Sequence, residues 1–330
     1  MRVAILGAGA WGTALGCALA SRCEVALWAR SAEQAERMLG CRRNERYLPG
    51  IELPPRLAIE TSLNGALEHA GDDGLVLLAS PMAGLRPLAA QLRRAGTGAP
   101  VAWLCKGLER DTGLFAHQVL EQELPGRDAG PLSGPSFAEE VARGLPTAMV
   151  IAGAEGLRER VTRALHGGNL RIYSSADVIG VEVGGAVKNV MAIATGISDA
   201  LGLGNNARAA LITRGLAETQ RLGEALGARS RTLTGLAGLG DLILTCTGEL
   251  SRNRRVGLAL GRGVALDSAL AGIGHVAEGV WSAPEVAARA RAAGIEMPLT
   301  DAVCAVLDGR LTPGASLERL LARDPRPEHA

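Results

Sequence analysis

Two lysines stand out in a chain that otherwise carries its positive charge on arginine. Of the 35 lysine and arginine residues, only Lys106 and Lys188 are lysines. A guanidinium keeps its proton under all ordinary conditions, whereas an ammonium group withdrawn from water can lose it. Both lysines are therefore candidates for proton transfer. The alternative is that an arginine-rich composition has left two lysines by chance.

Lys188 lies in the segment 180–194, which is apolar around most of the circumference of a predicted helix. We expect its side chain to be enclosed, and a buried lysine is rare unless it is paired or used in chemistry. A partly desolvated ammonium can donate a proton to a forming alkoxide and take it back in the reverse reaction. A salt bridge to Glu182, or a side chain that reaches water, is the structural alternative.

Lys106 directly follows a predicted strand, and the carboxyl ends of parallel strands are where open α/β sheets bind ligands. The loop with Gly134 and Ser136 follows another predicted strand and should lie at the same edge. Ser136 with Glu139 also matches a capping box, which predicts a helix that starts there and offers a purely structural role. For Lys106 the plain alternative is an exposed loop residue.

A second group of polar residues, Ser251, Arg252 and Asn253, resembles a phosphate cradle. A serine cap, a guanidinium and an amide at a helix start suit a phosphate monoester, although a solvated basic helix start has the same composition. Asp241 precedes this group and either anchors a substrate hydroxyl or orients Lys188.

The first residues of the chain match a dinucleotide-binding loop. A short apolar run ends at Gly7, and Gly9 and Gly12 complete the G-x-G-x-x-G spacing before a predicted helix. Gly7 permits a tight turn, Gly9 lets the backbone approach a pyrophosphate, and Gly12 lets helix and strand pack closely. The helix N-terminus then faces the phosphates with free N–H groups.

The end of the second predicted strand bears on cofactor choice. NAD-selective sites usually carry an acidic residue there for the ribose 2′-hydroxyl, but this chain has Arg30. A guanidinium can pair with a 2′-phosphate, which favours NADP(H), or use of both cofactors. A solvated surface arginine is the alternative.

The predicted secondary structure that positions these residues changes near residue 180, from alternating strands and helices to helices alone. Before it, short apolar runs alternate with helical stretches, which predicts strands buried on both faces of a parallel sheet. After it the pattern is helical. We therefore predict an α/β chain with an N-terminal Rossmann domain, residues 1–180, whose doubly wound sheet is mostly parallel, and an all-helical C-terminal domain, residues 181–330. The strands are expected at 2–6, 24–28, 75–79, 101–104, 129–133, 147–152 and 170–174, and helices at 180–201, 207–226 and 281–293.

Composition excludes several function classes. The net charge is +1 and aromatic residues make up 2%, which argues against nucleic-acid binding. The apolar runs are strand-length and shorter than the roughly 20 residues needed to span a bilayer. The six cysteines lack the spacing of a metal site, so we expect reduced thiols and no metal. Met1 runs straight into the first strand, so we expect no secretory signal and a cytoplasmic location.

Taken in order, these motifs closely resemble bacterial NAD(P)-dependent glycerol-3-phosphate dehydrogenases. The matching segments are 7–12, 105–109, 133–137, 184–189, 237–241, 251–255, 276–279 and 296–298. The resemblance implies a Rossmann domain, a helical domain and an active site between them. It also implies reduction of dihydroxyacetone phosphate to sn-glycerol 3-phosphate, the backbone precursor of phospholipids.

Carried onto matching positions, the resemblance makes Lys188 the proton donor and acceptor. It places these residues in contact with the substrate: Lys106, Gly134, Ser136, Lys188, Asp241, Ser251, Arg252 and Asn253. It places these in contact with NADP(H) or NAD(H), beside Gly7, Gly9 and Gly12: Ala10, Trp11, Arg30, Lys106, Ala138, Arg252, Val276 and Glu278. The types at Ala10, Trp11 and Arg30 vary within the family.

Two other functions fit parts of the pattern. A two-domain dehydrogenase of a hydroxy acid or sugar acid would bind a carboxylate where we expect a phosphate. A non-catalytic NADP-sensing module would use the glycine loop alone and would have no use for a buried lysine. The partner is expected to be a small phosphorylated molecule, with a homodimer possible.

Overall fold

An eight-stranded sheet forms the N-terminal part of the chain. The computed structural model describes residues 1–274 and 276–322, so the tail 323–330 lies outside the described residues. The strands are β1 (Arg2–Leu6), β2 (Glu24–Trp28), β3 (Arg43–Asn44), β4 (Leu48–Glu52), β5 (Leu57–Glu60), β6 (Leu75–Leu78), β7 (Val101–Trp103), β8 (Ala129–Ser133), β9 (Thr147–Ala152) and β10 (Leu170–Ser175). The sheet order is β10-β9-β8-β7-β6-β1-β2-β5, and β3 pairs with β4 in a separate antiparallel hairpin.

Within the eight-stranded sheet the strand pairs are parallel except for β8 with β9, which are antiparallel. This confirms the predicted doubly wound, mostly parallel sheet, and all seven predicted strands are present within one residue at their ends. The sequence prediction missed β3, β4 and β5. The hairpin is polar, and β5 is a four-residue edge strand of alternating burial, so neither has the continuous apolar run of a central strand.

Helices cover both faces of the sheet: α1 (Ala10–Leu19), α2 (Ala32–Cys41), α3 (Leu63–Ala70), α4 (Met82–Ala95), α5 (Ala116–Glu123), α6 (Ala138–Ala142) and α7 (Glu155–Leu165). One apolar core packs α1 and α7 against one face, and another packs α3, α4 and α5 against the other. The central strands are buried on both sides, which is why β6 is apolar throughout and β1 is apolar from Val3 to Leu6.

The rest of the described chain is helical, with no strand after Ser175 in residues 176–274 and 276–322. The helices are α8 (Val178–Ala200), α9 (Gly204–Ala225), α10 (Ser230–Leu233), α11 (Asp241–Thr247), α12 (Arg252–Gly261), α13 (Leu266–Ile273), α14 (Glu278–Ala292), α15 (Pro298–Leu307) and α16 (Pro313–Leu321). A π-helical turn, Leu236–Gly240, precedes α11.

Helix α8 is the central element of this helical part. It is long and apolar enough to cross a membrane, but 83% of its most apolar stretch is buried inside the protein. Helix α12 lies unusually close to it, because a Cβ atom on Gly257 would stand 2.1 Å from the carbonyl oxygen of Ile193. The length and apolar character of α8 are therefore those of a core helix.

Candidate active site

The glycine loop between β1 and α1 has the shape of a phosphate cradle. Gly7 has φ +124°, and a Cβ on Gly12 would lie 1.9 Å from the carbonyl oxygen of Gly7, so both positions need glycine. Gly9 caps α1 without any side-chain hydrogen bond, and a Cβ there would have no atom within 4 Å. The backbone amides at the start of α1 thus face open space, which fits the pyrophosphate of a dinucleotide.

Two side chains that sequence reasoning missed hold this loop in place. The Asn44 amide donates to the carbonyl oxygen of Ala8 at 3.0 Å and to the Thr13 hydroxyl at 2.7 Å, and Gln34 donates to the same carbonyl at 2.6 Å. Both residues come from segments beyond β2 that carry no recognisable motif. Contacts of this kind over 26 to 36 residues leave no local signal in the sequence.

Arg30, Ala10 and Trp11 lie at the carboxyl ends of β1 and β2. Arg30 follows β2 and is exposed, and Ser31 beside it caps α2 by accepting a hydrogen bond from the Gln34 amide at 3.3 Å. Ala10 and Trp11 form the first turn of α1 and are half-buried. The described positions are compatible with the predicted cofactor contacts of all three residues.

Both lysines bind one buried aspartate. The Lys188 ammonium donates to Asp241 Oδ1 at 2.6 Å and to the Thr245 hydroxyl at 3.0 Å. The Lys106 ammonium donates to the other oxygen, Oδ2, at 2.5 Å. Asp241 is fully buried, and Lys188 is nearly so. The predicted enclosure of Lys188 is confirmed, and two cations share one carboxylate at the junction of sheet and helices.

This arrangement shifts the pKa values of Lys188 and Asp241. Burial lowers the pKa of Lys188 to about 8; the Lys106 charge also lowers it, and Asp241 opposes the shift. Burial by itself would raise the pKa of the Asp241 carboxyl, but the two ammonium groups outweigh that effect and lower it. Lys188 can therefore exchange a proton near neutral pH, while Asp241 stays ionised.

A π-helical turn delivers Asp241 to this centre. It packs against α8 so closely that a Cβ on Gly184 would lie 2.6 Å from the carbonyl oxygen of Ala237. Asp241 is the first residue of α11, and Thr245 follows it one helical turn later. Both side chains therefore face Lys188. The hydrogen bond between Asp241 and Lys188 supports the orienting role expected for Asp241, and contact of Asp241 with the substrate stays a prediction.

Glu182 is not the partner of Lys188. It accepts a hydrogen bond from the backbone N–H of His117 at 3.0 Å, and its other oxygen contacts His117 Nδ1. That contact joins α8 to the start of α5 in the sheet domain. The alternative salt bridge between Lys188 and Glu182 is therefore wrong.

The loop after β8 lies beside Lys106, as predicted. Lys106 Nζ donates to the carbonyl oxygen of Gly134 at 3.3 Å, and the Ser136 hydroxyl donates to the same oxygen at 2.9 Å. The predicted capping box is wrong: α6 begins at Ala138 with Phe137 as its cap, and Glu139 pairs with Arg143. The Gly134 carbonyl draws the serine hydroxyl back into the loop, away from the helix amides.

Helix α12 brings the predicted phosphate cradle close to Lys188. Asn253 donates to the side-chain oxygen of Asn189 at 2.9 Å and accepts from the Gly279 amide at 3.0 Å. The Asn189–Asn253 hydrogen bond sets these two residues side by side on α8 and α12. The residues that precede them, Lys188 and Arg252, therefore lie at similar heights along the two helices. Arg252 is exposed and makes no ion pair within the described part of the chain.

Ser251 caps α12 by accepting from the Arg254 amide at 3.3 Å. The capping role predicted for this serine is thus present.

The start of α14 contacts both the sheet domain and α12. Glu278 accepts a hydrogen bond from the backbone N–H of Met82, the first residue of α4, at 3.1 Å. Desolvation raises the pKa of the Glu278 carboxyl, although the Met82 amide and the Arg252 guanidinium favour its ionised form. Val276 next to it is 44% exposed. The start of α14 thus joins the start of α4 to α12, through Glu278 and through the Gly279 amide that donates to Asn253.

Comparisons with known proteins agree with this geometry. The model of the NAD-dependent glycerol-3-phosphate dehydrogenase N-terminus matches residues 2–156, and that of the C-terminus matches residues 177–318. This chain belongs to the NAD-dependent glycerol-3-phosphate dehydrogenase family. It is an NAD(P)-dependent oxidoreductase, as the sequence predicts.

Its relatives match over essentially their whole length. Glycerol-3-phosphate dehydrogenase [NAD(P)+] of Methylibium petroleiphilum is 58% identical and covers 99% of this chain and 98% of its own. The protein of the same name from Janthinobacterium is 55% identical, and both chains are covered fully. The crystal structure of glycerol-3-phosphate dehydrogenase from Coxiella burnetii is 43% identical, with a TM-score of 0.93 over 97% of this chain and 98% of that one.

Proposed function

We propose that this chain reduces dihydroxyacetone phosphate to sn-glycerol 3-phosphate with NADP(H) or NAD(H), and so supplies the backbone for phospholipid synthesis. The observation that carries the proposal is the buried centre of Lys188, Asp241 and Lys106, with an exposed Arg252 on the neighbouring helix α12 that forms no ion pair with any residue in 1–274 and 276–322. The family gives the substrate its name, and the centre provides the proton that reduction of a ketone needs. A hydroxy-acid dehydrogenase and a sensing module are not favoured.

Lys188 serves as proton donor in reduction and as proton acceptor in oxidation. When bound, the nicotinamide supplies the hydride that reaches the carbonyl carbon. Lys188 gives its proton to the carbonyl oxygen, and its pKa of about 8 allows it to work in both directions at mildly alkaline pH. Asp241 and Thr245 fix the position of the ammonium group.

The substrate is held by its phosphate and its oxygens. Arg252 binds the phosphate, because its guanidinium is exposed at the mouth of the cleft, whereas Arg254 is paired with Asp199 at 2.7 Å. Binding energy from this non-reacting group then orients the carbonyl beside Lys188. The proposed substrate contacts are Lys106, Gly134, Ser136, Lys188, Asp241, Ser251, Arg252 and Asn253.

Residues at the carboxyl edge of the sheet would hold the cofactor. The backbone amides after Gly9 would bind its pyrophosphate, and Arg30 would pair with a 2′-phosphate when one is present. The proposed cofactor contacts are Gly7, Gly9, Ala10, Trp11, Gly12, Arg30, Lys106, Ala138, Arg252, Val276 and Glu278.

We further propose a cofactor domain of residues 1–180, a catalytic domain of residues 181–330, a cytoplasmic location and assembly as a homodimer. The last strand ends at Ser175 and α8 begins at Val178, which supports a boundary in this region.

The test is oxidation of NADPH and of NADH that depends on dihydroxyacetone phosphate, followed by the loss of reduced-nicotinamide absorbance. We expect turnover with the phosphate ester and much slower turnover with dihydroxyacetone or a 2-keto acid. Preferred turnover of the 2-keto acid, or no turnover of any of the three, would overturn the proposal.

A further inference from the structure

A buried ion-pair network stands behind the start of α12, outside the substrate contacts assigned above. Asp199 Oδ2 accepts from Arg254 Nη2 at 2.7 Å and from Nε at 3.0 Å, and Asp199 Oδ1 lies 3.0 Å from Arg208 Nε. The side chains of Asp199 and Arg254 are 9% and 13% exposed, so water screens this pair little. Asp199 lies in the last turn of α8, and Arg208 in the first turns of α9.

The network joins the helix that bears the proton donor to the helix that bears the phosphate contact. Lys188 and Asp199 lie on one continuous helix, about 16 Å apart along its axis. Arg252 and Arg254 share the first turn of α12. An ion pair between Asp199 and Arg254 therefore restrains that turn relative to Lys188.

Glycine contacts also hold α8 and α12 close together along their length. Gly257 meets the carbonyl oxygen of Ile193, and Gly261 meets that of Ile197, one turn later on both helices. The helices are therefore parallel. In the first turn of α12, Gly196 of α8 packs on the backbone, since a Cβ there would stand 2.2 Å from the carbonyl oxygen of Arg254. The side chains of Asn253 and Arg254 in this turn pair with Asn189 and Asp199.

We propose that Asp199 is a positioning residue for the substrate phosphate. It neutralises Arg254, keeps that guanidinium out of the cleft, and fixes the turn from which Arg252 reaches the phosphate. This inference rests on the proposed function, because it assumes that Arg252 binds phosphate. Asp199 acts on the phosphate through Arg252 and does not touch the reacting atoms.

The test compares substrates with and without the phosphate. In Asp199→Asn we expect kcat/KM for dihydroxyacetone phosphate to fall about tenfold, since a small displacement of a binding group is enough for such a loss. The rate with dihydroxyacetone, which offers nothing to Arg252, should stay within about twofold. Both rates use the same NADPH concentration, so any effect on the cofactor cancels in their ratio. Arg254→Met should reproduce the selective loss.

A matched control is Asp308→Asn, which removes the carboxylate of an exposed pair with Arg310 and should leave both rates unchanged. The decisive arm is the double variant Asp199→Asn/Arg252→Ala. If Asp199 acts through Arg252, the double variant should be no slower with dihydroxyacetone phosphate than Arg252→Ala alone.

Each outcome separates this inference from the function it rests on. Equal losses for both substrates in Asp199→Asn, no loss for either, or additive losses in the double variant would overturn the positioning role. If Arg252→Ala itself loses no more activity with dihydroxyacetone phosphate than with dihydroxyacetone, the phosphate contact of Arg252 fails first. A selective loss in Arg252→Ala without one in Asp199→Asn rejects the positioning role alone.

Discussion

The shared carboxylate of Asp241 makes a specific prediction for the pH dependence of reduction. Reduction needs protonated Lys188, so kcat/KM should fall as the pH rises through the pKa of that group, about 8. In Asp241→Asn the ammonium groups of Lys188 and Lys106 lose the carboxylate between them. The protonated form of Lys188 then becomes less favourable, and its pKa falls.

The size of the shift follows from the geometry. Lys188 Nζ lies 2.6 Å from Asp241 Oδ1. An opposite charge at such a distance typically changes a pKa by about 1–3 units, so the pKa of Lys188 should fall to roughly 5–7. The alkaline loss of activity should begin at correspondingly lower pH. Because the two lysines and Asp241 interact, the measured value belongs to the group as a whole.

The assay is kcat/KM for dihydroxyacetone phosphate between about pH 5 and pH 9 at saturating NADPH. Asp308→Asn is the control, since it removes an exposed carboxylate that pairs with Arg310, and its profile should match that of the unmodified protein. Circular dichroism at each pH shows whether the variants remain folded. If Asp241→Asn is active and still loses activity only above pH 8, the role given to Asp241 is wrong.

Three further predictions concern the cofactor, the substrate and stability. Arg30→Glu should weaken NADPH binding much more than NADH binding, measured as the two dissociation constants; equal losses, or none, would make Arg30 a surface residue. Arg252→Ala should lower kcat/KM for dihydroxyacetone phosphate by about tenfold to a hundredfold, the value of a charge-assisted contact of about 1.5–3 kcal/mol, and leave the dihydroxyacetone rate nearly unchanged. Phosphite dianion added separately should activate the unmodified protein with dihydroxyacetone, and Arg252→Ala much less. Glu218 accepts hydrogen bonds from the amides of Leu299 and Thr300, and burial raises its pKa to about 7. The folded state then holds a proton that the unfolded state releases, so between about pH 4.5 and 7 this group makes stability fall as pH rises, by up to about 3 kcal/mol. Glu218→Gln should remove that slope in urea unfolding at pH 5 and pH 8, and an unchanged slope would contradict it.

The sequence was most informative where local pattern and function coincide. The spacing of Gly7, Gly9 and Gly12 after an apolar run predicts a cradle because each position needs the absence of a side chain for a local reason. Lys188 is predicted to be enclosed because the helix around it is apolar on nearly every side. Strand positions follow from burial on both faces in the same way.

Hydrogen bonds and ion pairs between side chains far apart in the chain could not be predicted from the sequence. The carboxylates of Asp199, Glu182 and Glu218 all lie on long helices, and nothing in their neighbours indicates whether the partner is Arg254, His117 or an amide of α15. Ser136 is the converse case. The sequence pattern of a capping box is present, but the Ser136 hydroxyl donates to the carbonyl oxygen of Gly134 and does not cap a helix. Tertiary contacts decide such positions.

The most direct test of the central claim is the turnover of Lys188→Met with dihydroxyacetone phosphate, measured beside its affinity for NADPH. Methionine has a similar length and no proton to give, so we expect kcat to fall by about two orders of magnitude or more, the usual contribution of general acid catalysis, with the dissociation constant for NADPH unchanged. Lys188→Arg should be nearly as slow, because a guanidinium keeps its proton. A folded Lys188→Met protein with near-normal turnover would contradict the account, because it would remove the proton donor from the reaction.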